Sequence, residues 1–250
     1  SCNQIRLGSE NDGGYVVDSG SVHDANLLIS LGLCDNIDFE IDFQKLNPCR
    51  KECYDFSVTF KFWLKRLASS LIRLQMVRVG DLLLRMIKFY YFFRANKNNF
   101  FHKKKISDVA HGENEETLAN VFSSNLGSRV FLKIDIEGYE HRVLKTISDH
   151  SQSLVAIAIE FHDCDLHADR ILNFIRSLEN HEIINVNVNN NGGVSSEGID
   201  HVLEITLLDK EYLKGQPVAV RAQAKNLNAL NDPTGKRYKD RYRRSVEGTA

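Results

Sequence analysis

The chain has 250 residues, 42% of them hydrophobic, and a formal net charge of −1, which allows a sizeable core and sits at the upper end of length for one α/β domain. The near-neutral total hides an asymmetry: positions 60–105 hold twelve Lys or Arg against the single acid Asp81, leaving the rest of the chain at about −12. Five cysteines (Cys2, Cys34, Cys49, Cys53 and Cys164) with no Cys-x-x-Cys spacing speak against a disulfide framework and a structural zinc site, and for a reducing, cytoplasmic setting. There is no uninterrupted apolar run of 18 residues and no visible secretory leader, although a start at Ser1 leaves room for a removed targeting or membrane segment.

In chain order, Asn11-Asp12-Gly13-Gly14 is a turn signal that leads into Tyr15-Val16-Val17, and the pattern reads as a hairpin. Asn26 to Leu31 is an apolar strand running into Gly32 and a polar turn. That is the form of a first strand with its nucleotide loop, where a glycine lets backbone approach a ligand and following amides hold an anion. Only one glycine stands there, so the dinucleotide fingerprint is absent and a nicotinamide-dependent oxidoreductase, the main alternative on such a sheet, loses its support. Cys53-Tyr54-Asp55-Phe56 ends a second strand. An acid at that tip can accept hydrogen bonds from ribose hydroxyls, and by itself it could equally be a loop aspartate.

From Phe60 to Phe93, Phe60, Trp63, Leu64, Leu67, Leu71 and Leu74 recur at helical spacing among interspersed cations, which predicts one or two amphipathic helices. They could cap the crevice, lie on an anionic membrane surface or attract an acidic substrate. A non-catalytic membrane-surface or partner-binding module is therefore a further alternative. No recognisable nucleic-acid module accompanies the charge. Asn96 to Lys105 reads as a loop and Gly112 to Leu126 as a helix.

The most informative stretch is Val130 to Glu140. A short β-branched run ends in Asp135, Glu137 and Gly138, and a helical stripe from Tyr139 to Ile147 follows. Ligands of open α/β sheets bind outside the carboxyl ends of the strands, so both acids would face that crevice; the plain alternative is a solvated loop acid and a helix-start acid. Leu154 to His162 is the next strand, ending in Glu160 and His162, with a helix from Ala168 to Leu178 behind it. Ile183–Asn189 and His201–Leu208 alternate with period two and predict a closing hairpin. A polar segment, 214–250, with basic runs at Lys236-Arg237 and Arg241–Arg244, reads as a surface extension.

Leu132-Lys133-Ile134-Asp135-Ile136-Glu137-Gly138-Tyr139-Glu140 resembles the central signature of the FkbM-like S-adenosylmethionine-dependent methyltransferases. Supporting similarity lies in Asn11 to Val16, Leu31-Gly32 with Phe39-Glu40, Asp55, Ile159 to His162, Asn189 to Gly193 and His201 to Thr206, with Asn231-Asp232-Pro233 as an extension. Cys34 and the basic insert at 60–105 depart from that pattern. The resemblance implies a Rossmann-like class I methyltransferase domain. Its mostly parallel seven-stranded sheet would end in an antiparallel hairpin, and its activity would be methyl transfer to a hydroxyl of a glycan or small metabolite.

On that reading Gly32, Asp35 and Glu40 shape the methionine and loop side of the cofactor pocket, Asp55 holds the ribose, and Asp135 and Glu137 border the reacting end. His162, with an unperturbed pKa of about 6.5, is the first candidate for the base and Asp135 the second. Asp135, Glu160 and His162 could also hold a divalent ion, which the sequence does not require.

Overall fold

The computed structural model describes residues 3–214 and Asn228. Asn231-Asp232-Pro233, both basic runs of the C-terminal segment and Cys2 lie outside the described residues. The elements are β1 (Gln4–Gly8), β2 (Gly14–Asp18), α1 (Ser19–Asp24), β3 (Leu27–Leu31), α2 (Asp38–Leu46), β4 (Arg50–Tyr54), α3 (Phe60–Ile72) and α4 (Met76–Ala95), then β5 (Asn99–His102), β6 (Lys105–Ser107), β7 (Glu115–Thr117) and α5 (Leu118–Ser123). They continue with β8 (Val130–Ile134), α6 (Glu140–Asp149), β9 (Leu154–Phe161), α7 (Cys164–Ser177), β10 (His181–Val188) and β11 (Leu203–Asp209).

Seven strands form one sheet in the order β10-β11-β9-β8-β3-β4-β5. The pairs β3–β4, β3–β8, β4–β5 and β8–β9 are parallel, while β11 runs antiparallel between β9 and β10. This is the Rossmann-like class I methyltransferase sheet that the central signature implied: the chain winds outward from β3 in both directions and returns through a hairpin whose second strand is inserted. An all-parallel dinucleotide sheet lacks that inserted strand.

Strand alternation divides the core into two layers. Leu27, Ile29 and Leu31 of β3, with Leu132 and Ile134 of β8, face α5, α6 and α7. Leu28 and Phe131 face Phe39 and Phe43 of α2 and the β1–β2 hairpin, whose Tyr15 and Val17 are buried there. Central strands buried on both faces have to be near-continuous apolar runs, as these are. A third cluster joins Leu33, Cys53 and Val58 to Trp63, Phe89 and Phe92, fixing the base of α3 and α4 against the β4 side.

Two sequence expectations are corrected. Asn96 to Lys105 contains β5, the edge of the sheet, which a polar and basic composition conceals because only Asn99 of its four residues is buried. Gly112 to Leu126 begins as the short strand β7, and its helix is confined to Leu118–Ser123, capped by Thr117. The hairpin at Asp12-Gly13-Gly14, the paired insert helices and the closing hairpin stand as expected. Among the described residues no helix is long and apolar enough to cross a membrane.

Candidate functional site

The carboxyl ends of β3, β4 and β8 rim a cavity of about 230 Å³ lined by Gly32, Cys34, Tyr54, Asp55, Asp135 and Glu137, with Phe56, Ser57, Lys104–Ile106, Ile136 and Tyr139. Four of the expected site residues therefore meet at one opening, where the sheet's winding direction reverses and ligands of α/β sheets bind. A larger trough of about 800 Å³ lies between α2 and α4, away from the strand ends.

Local geometry explains each rim residue. Gly32 has φ +80°, and a Cβ there would stand 1.6 Å from the Asp135 carbonyl oxygen. Its bareness thus serves the close approach of two strand ends, where the sequence suggested approach to a ligand. Asp55 holds the two loops together: Oδ2 accepts from the amides of Leu33 (2.9 Å) and Cys34 (2.8 Å), and Oδ1 from the Ser57 amide and hydroxyl, each 2.7 Å. Of these donors only the Ser57 hydroxyl can rotate away and give its place to another hydroxyl. Glu137 stands in the left-handed region at φ +54° with Gly138 after it at +93°, a tight turn that brings its exposed carboxylate to 3.5 Å from His162 Nε2.

Asp35 and Glu40 do not line this cavity. Asp35 pairs with Arg66 at 3.1 Å and Arg85 at 3.9 Å, and so ties the loop after β3 to α3 and α4. Glu40 is completely buried on α2, accepting from the Ser30 hydroxyl at 2.6 Å and lying 4.0 Å from Lys133 Nζ. Neither meets this cavity; the pairing of Asp35 is with the cap and that of Glu40 lies beneath the sheet.

Behind the rim is a buried polar cluster. His162 Nδ1 lies 3.1 Å from Glu140 Oε1, which also accepts from the Ile136 amide at 2.9 Å. Glu160 receives Tyr15 Oη at 3.4 Å and Asn189 Nδ2 at 3.0 Å. Lys133 donates to the Gly32 carbonyl at 2.6 Å. Burial raises the Asp135 carboxyl to about 6 against the pull of Lys133 and His162, and burial with the charges of Asp135 and Glu204 raises Glu160 to about 8. Burial lowers the His162 imidazole, but the hydrogen bond and charge of Glu140 and the charges of Glu160 and Asp135 outweigh it and bring the ring to about 9.

The acids around His162 raise its affinity for a proton, which weighs against the neutral imidazole that the sequence reading named first as the base. Asp135, the second candidate from the sequence, lines the cavity wall, whereas His162 stands behind it.

Asp135, Glu140 and His162 can each offer one ligand atom within 4.8 Å of the others. As a cation site the set is poorly disposed: Glu140 Oε1 already accepts two hydrogen bonds, and His162 would have to shed its proton. No step below uses a metal.

Glu140, Lys133 and Tyr15 are members that the sequence reading did not single out. Lys133 carried a signal, a lone cation in the middle of an apolar strand, where a buried charge requires a partner. Glu140 could not be told from an ordinary acid at a helix start.

A scan against family models and a comparison with curated proteins give no match. Among solved structures, an rRNA methylase from Streptococcus thermophilus is similar at 11% identity over 76% of this chain and 90% of that one, with a TM-score of 0.42. Precorrin-6y C5,15-methyltransferase from Geobacter metallireducens GS-15 is similar at 10% identity over 76% and 84%, with a TM-score of 0.39. At such scores the likeness is loose, and the fold stands on the strand order itself.

Proposed function

We propose that the protein is an S-adenosylmethionine-dependent methyltransferase acting on a hydroxyl of a small metabolite or glycan. The observation that carries this reading is the meeting of Gly32, Asp55 and Asp135 around one cavity at the ends of β3, β4 and β8, in a sheet with an inserted antiparallel β11. At about 230 Å³ the cavity is below the roughly 300–1,000 Å³ usual for ligand clefts, so it admits the nucleoside part first and requires the Ser57 and Glu137 turns to yield for the rest.

Tyr54, Phe56, Ile106 and Ile136 give the apolar faces that suit an adenine ring, and Asp55 would exchange the Ser57 hydroxyl for a ribose hydroxyl. When bound, the cofactor supplies an electrophilic methyl on a positively charged sulfur, and the carboxylates of Asp135 and Glu137 favour that charge. Asp135 accepts the proton released by the attacking hydroxyl. His162 and Lys133 keep Asp135 ionised, and Glu140 positions His162. Lys104 and Lys105 on the same rim favour an acceptor that carries negative charge. The strand ends that carry Gly32, Asp55 and Asp135 supply alignment, which is most of what an in-line displacement asks of a protein.

Isothermal calorimetry with S-adenosylhomocysteine checks the cofactor assignment: a saturable heat is expected, and its absence at millimolar ligand with folded protein overturns it. A tritiated methyl donor screened against hydroxylated metabolites and glycans then identifies the acceptor, and label found only on amines or nucleic acid overturns the hydroxyl assignment.

A further inference from the structure

The α3–α4 hairpin presents two halves. Its base is anchored by Trp63, Phe89 and Phe92 in the third core cluster, and Arg66 and Lys88 pin it to Asp35 and Asp38. Its far end is bare. Ile72, at the end of α3, is 82% exposed, Leu74, in the turn between the helices with φ +54°, is 84% exposed, and Met76 and Val77, at the start of α4, are 66 and 82% exposed. Isolated exposed apolar residues are ordinary, but a contiguous group at a protruding tip marks a contact surface.

The surroundings of the tip state the chemistry of the partner. Lys65, Arg66, Arg73 and Arg78, with Ser69, line a cavity of about 320 Å³ beside it. Lys65, Arg73 and Arg78 make no ion pair among the described residues, and Asp81 is the one acid between 60 and 105. Exposed aliphatic side chains next in sequence to the cations Arg73 and Arg78 match a surface that is anionic outside and hydrocarbon within. A nucleic acid offers phosphates but nothing for Ile72 and Val77 to enter.

We propose that the α3–α4 hairpin docks the protein on an anionic phospholipid surface. The tip residues enter the boundary between headgroups and acyl chains, and the basic cavity takes headgroup phosphate, in the manner of interfacial amphipathic helices. This is independent of the methyltransferase reading and survives its failure.

The test is co-sedimentation of the full chain with vesicles of phosphatidylcholine alone or mixed with phosphatidylserine, at low and high salt. Binding is expected for the mixed vesicles and weakens with salt. Arg73→Glu/Arg78→Glu lowers the partition by roughly fivefold or more per cation removed. Ile72→Ser/Val77→Ser lowers it at least about tenfold at either salt, since both side chains would otherwise leave water. All four positions are on the hairpin, and thermal melts of the two variants report whether each folds, so either variant alone can carry the test. The proposal is overturned by absence of binding at low salt, or by binding that both variants retain. It is also overturned by a solution dimer that only the Ile72→Ser/Val77→Ser change dissolves, or by retention on an RNA oligomer without retention on vesicles.

Discussion

The strand ends around Asp135 and the tip of the α3–α4 hairpin treat polarity in opposite ways. At the strand ends, Lys133, Glu140 and Glu40 are withdrawn from water, and each has a named partner. Buried charge persists only with such partners, because an unpaired ion in a low-dielectric interior costs several kcal/mol. At the tip, apolar side chains and cations both stand in water. The contrast teaches where each region's free energy is satisfied: the cluster finds its main partners within the chain, although Glu40 Oε2 and Glu140 Oε2 are buried without a hydrogen bond, whereas the tip gains most from something outside it.

The sharpest way to break that contrast is at Asp135. Asp135→Asn removes the base while keeping the shape, so turnover should fall about 10²–10⁴-fold, with S-adenosylhomocysteine affinity by calorimetry changed far less; an equal loss of affinity would make Asp135 a binding group only. In the native protein the rate should rise through about pH 6 as Asp135 loses its proton and fall near about pH 9 as His162 loses its own. Both limbs belong to the coupled cluster, and an initial-rate profile with no fall on the alkaline side would remove His162 from it.

Next in size is Glu140→Ala, which leaves the Ile136 amide without its acceptor and the half-buried His162 with only Glu137 and Glu160 to pair with. Breaking one side of a buried pair costs about 3–5 kcal/mol, measured as a drop in urea midpoint. A loss under about 1 kcal/mol would show that water replaces the carboxylate.

Gly32→Ala should cost about 1–3 kcal/mol from the positive φ alone, and more in total because its Cβ would stand 1.6 Å from the Asp135 backbone carbonyl, so that β3 and β8 would have to part. The same urea curves measure it, and a neutral result would mean that the strand ends separate freely. Smallest is Ile72→Ser/Val77→Ser, expected within about 0.5 kcal/mol per site because exposed positions contribute little to folding. A large loss in those curves would mean that the tip is covered by the chain itself.

Much of the architecture was legible because the strands announce themselves. Val130 to Ile134 and Leu154 to Phe161 are apolar runs that end at acids, and Ile183 onward alternates with period two. β5 was not legible, because its two phenylalanines, Phe100 and Phe101, stand between Asn96-Lys97-Asn98-Asn99 and His102-Lys103-Lys104-Lys105, so that the stretch as a whole reads as a polar loop. Within the site, Gly32, Asp55, Asp135 and Glu137 could be placed together because each follows directly on a strand or its turn. Asp35 and Glu40 could not, since the direction of a side chain leaving a loop or helix is set by what packs there, here Arg66 and Ser30.

The amino-acid order alone determined which strands are central and which residues lie at their ends, since burial on both faces demands continuous apolar runs and chemistry collects where they stop. Tertiary structure alone decided protonation and pairing. The proton affinity of His162 is raised because Glu140, twenty-two positions earlier, is folded against it, and the charge a group carries depends on distances that no local pattern contains.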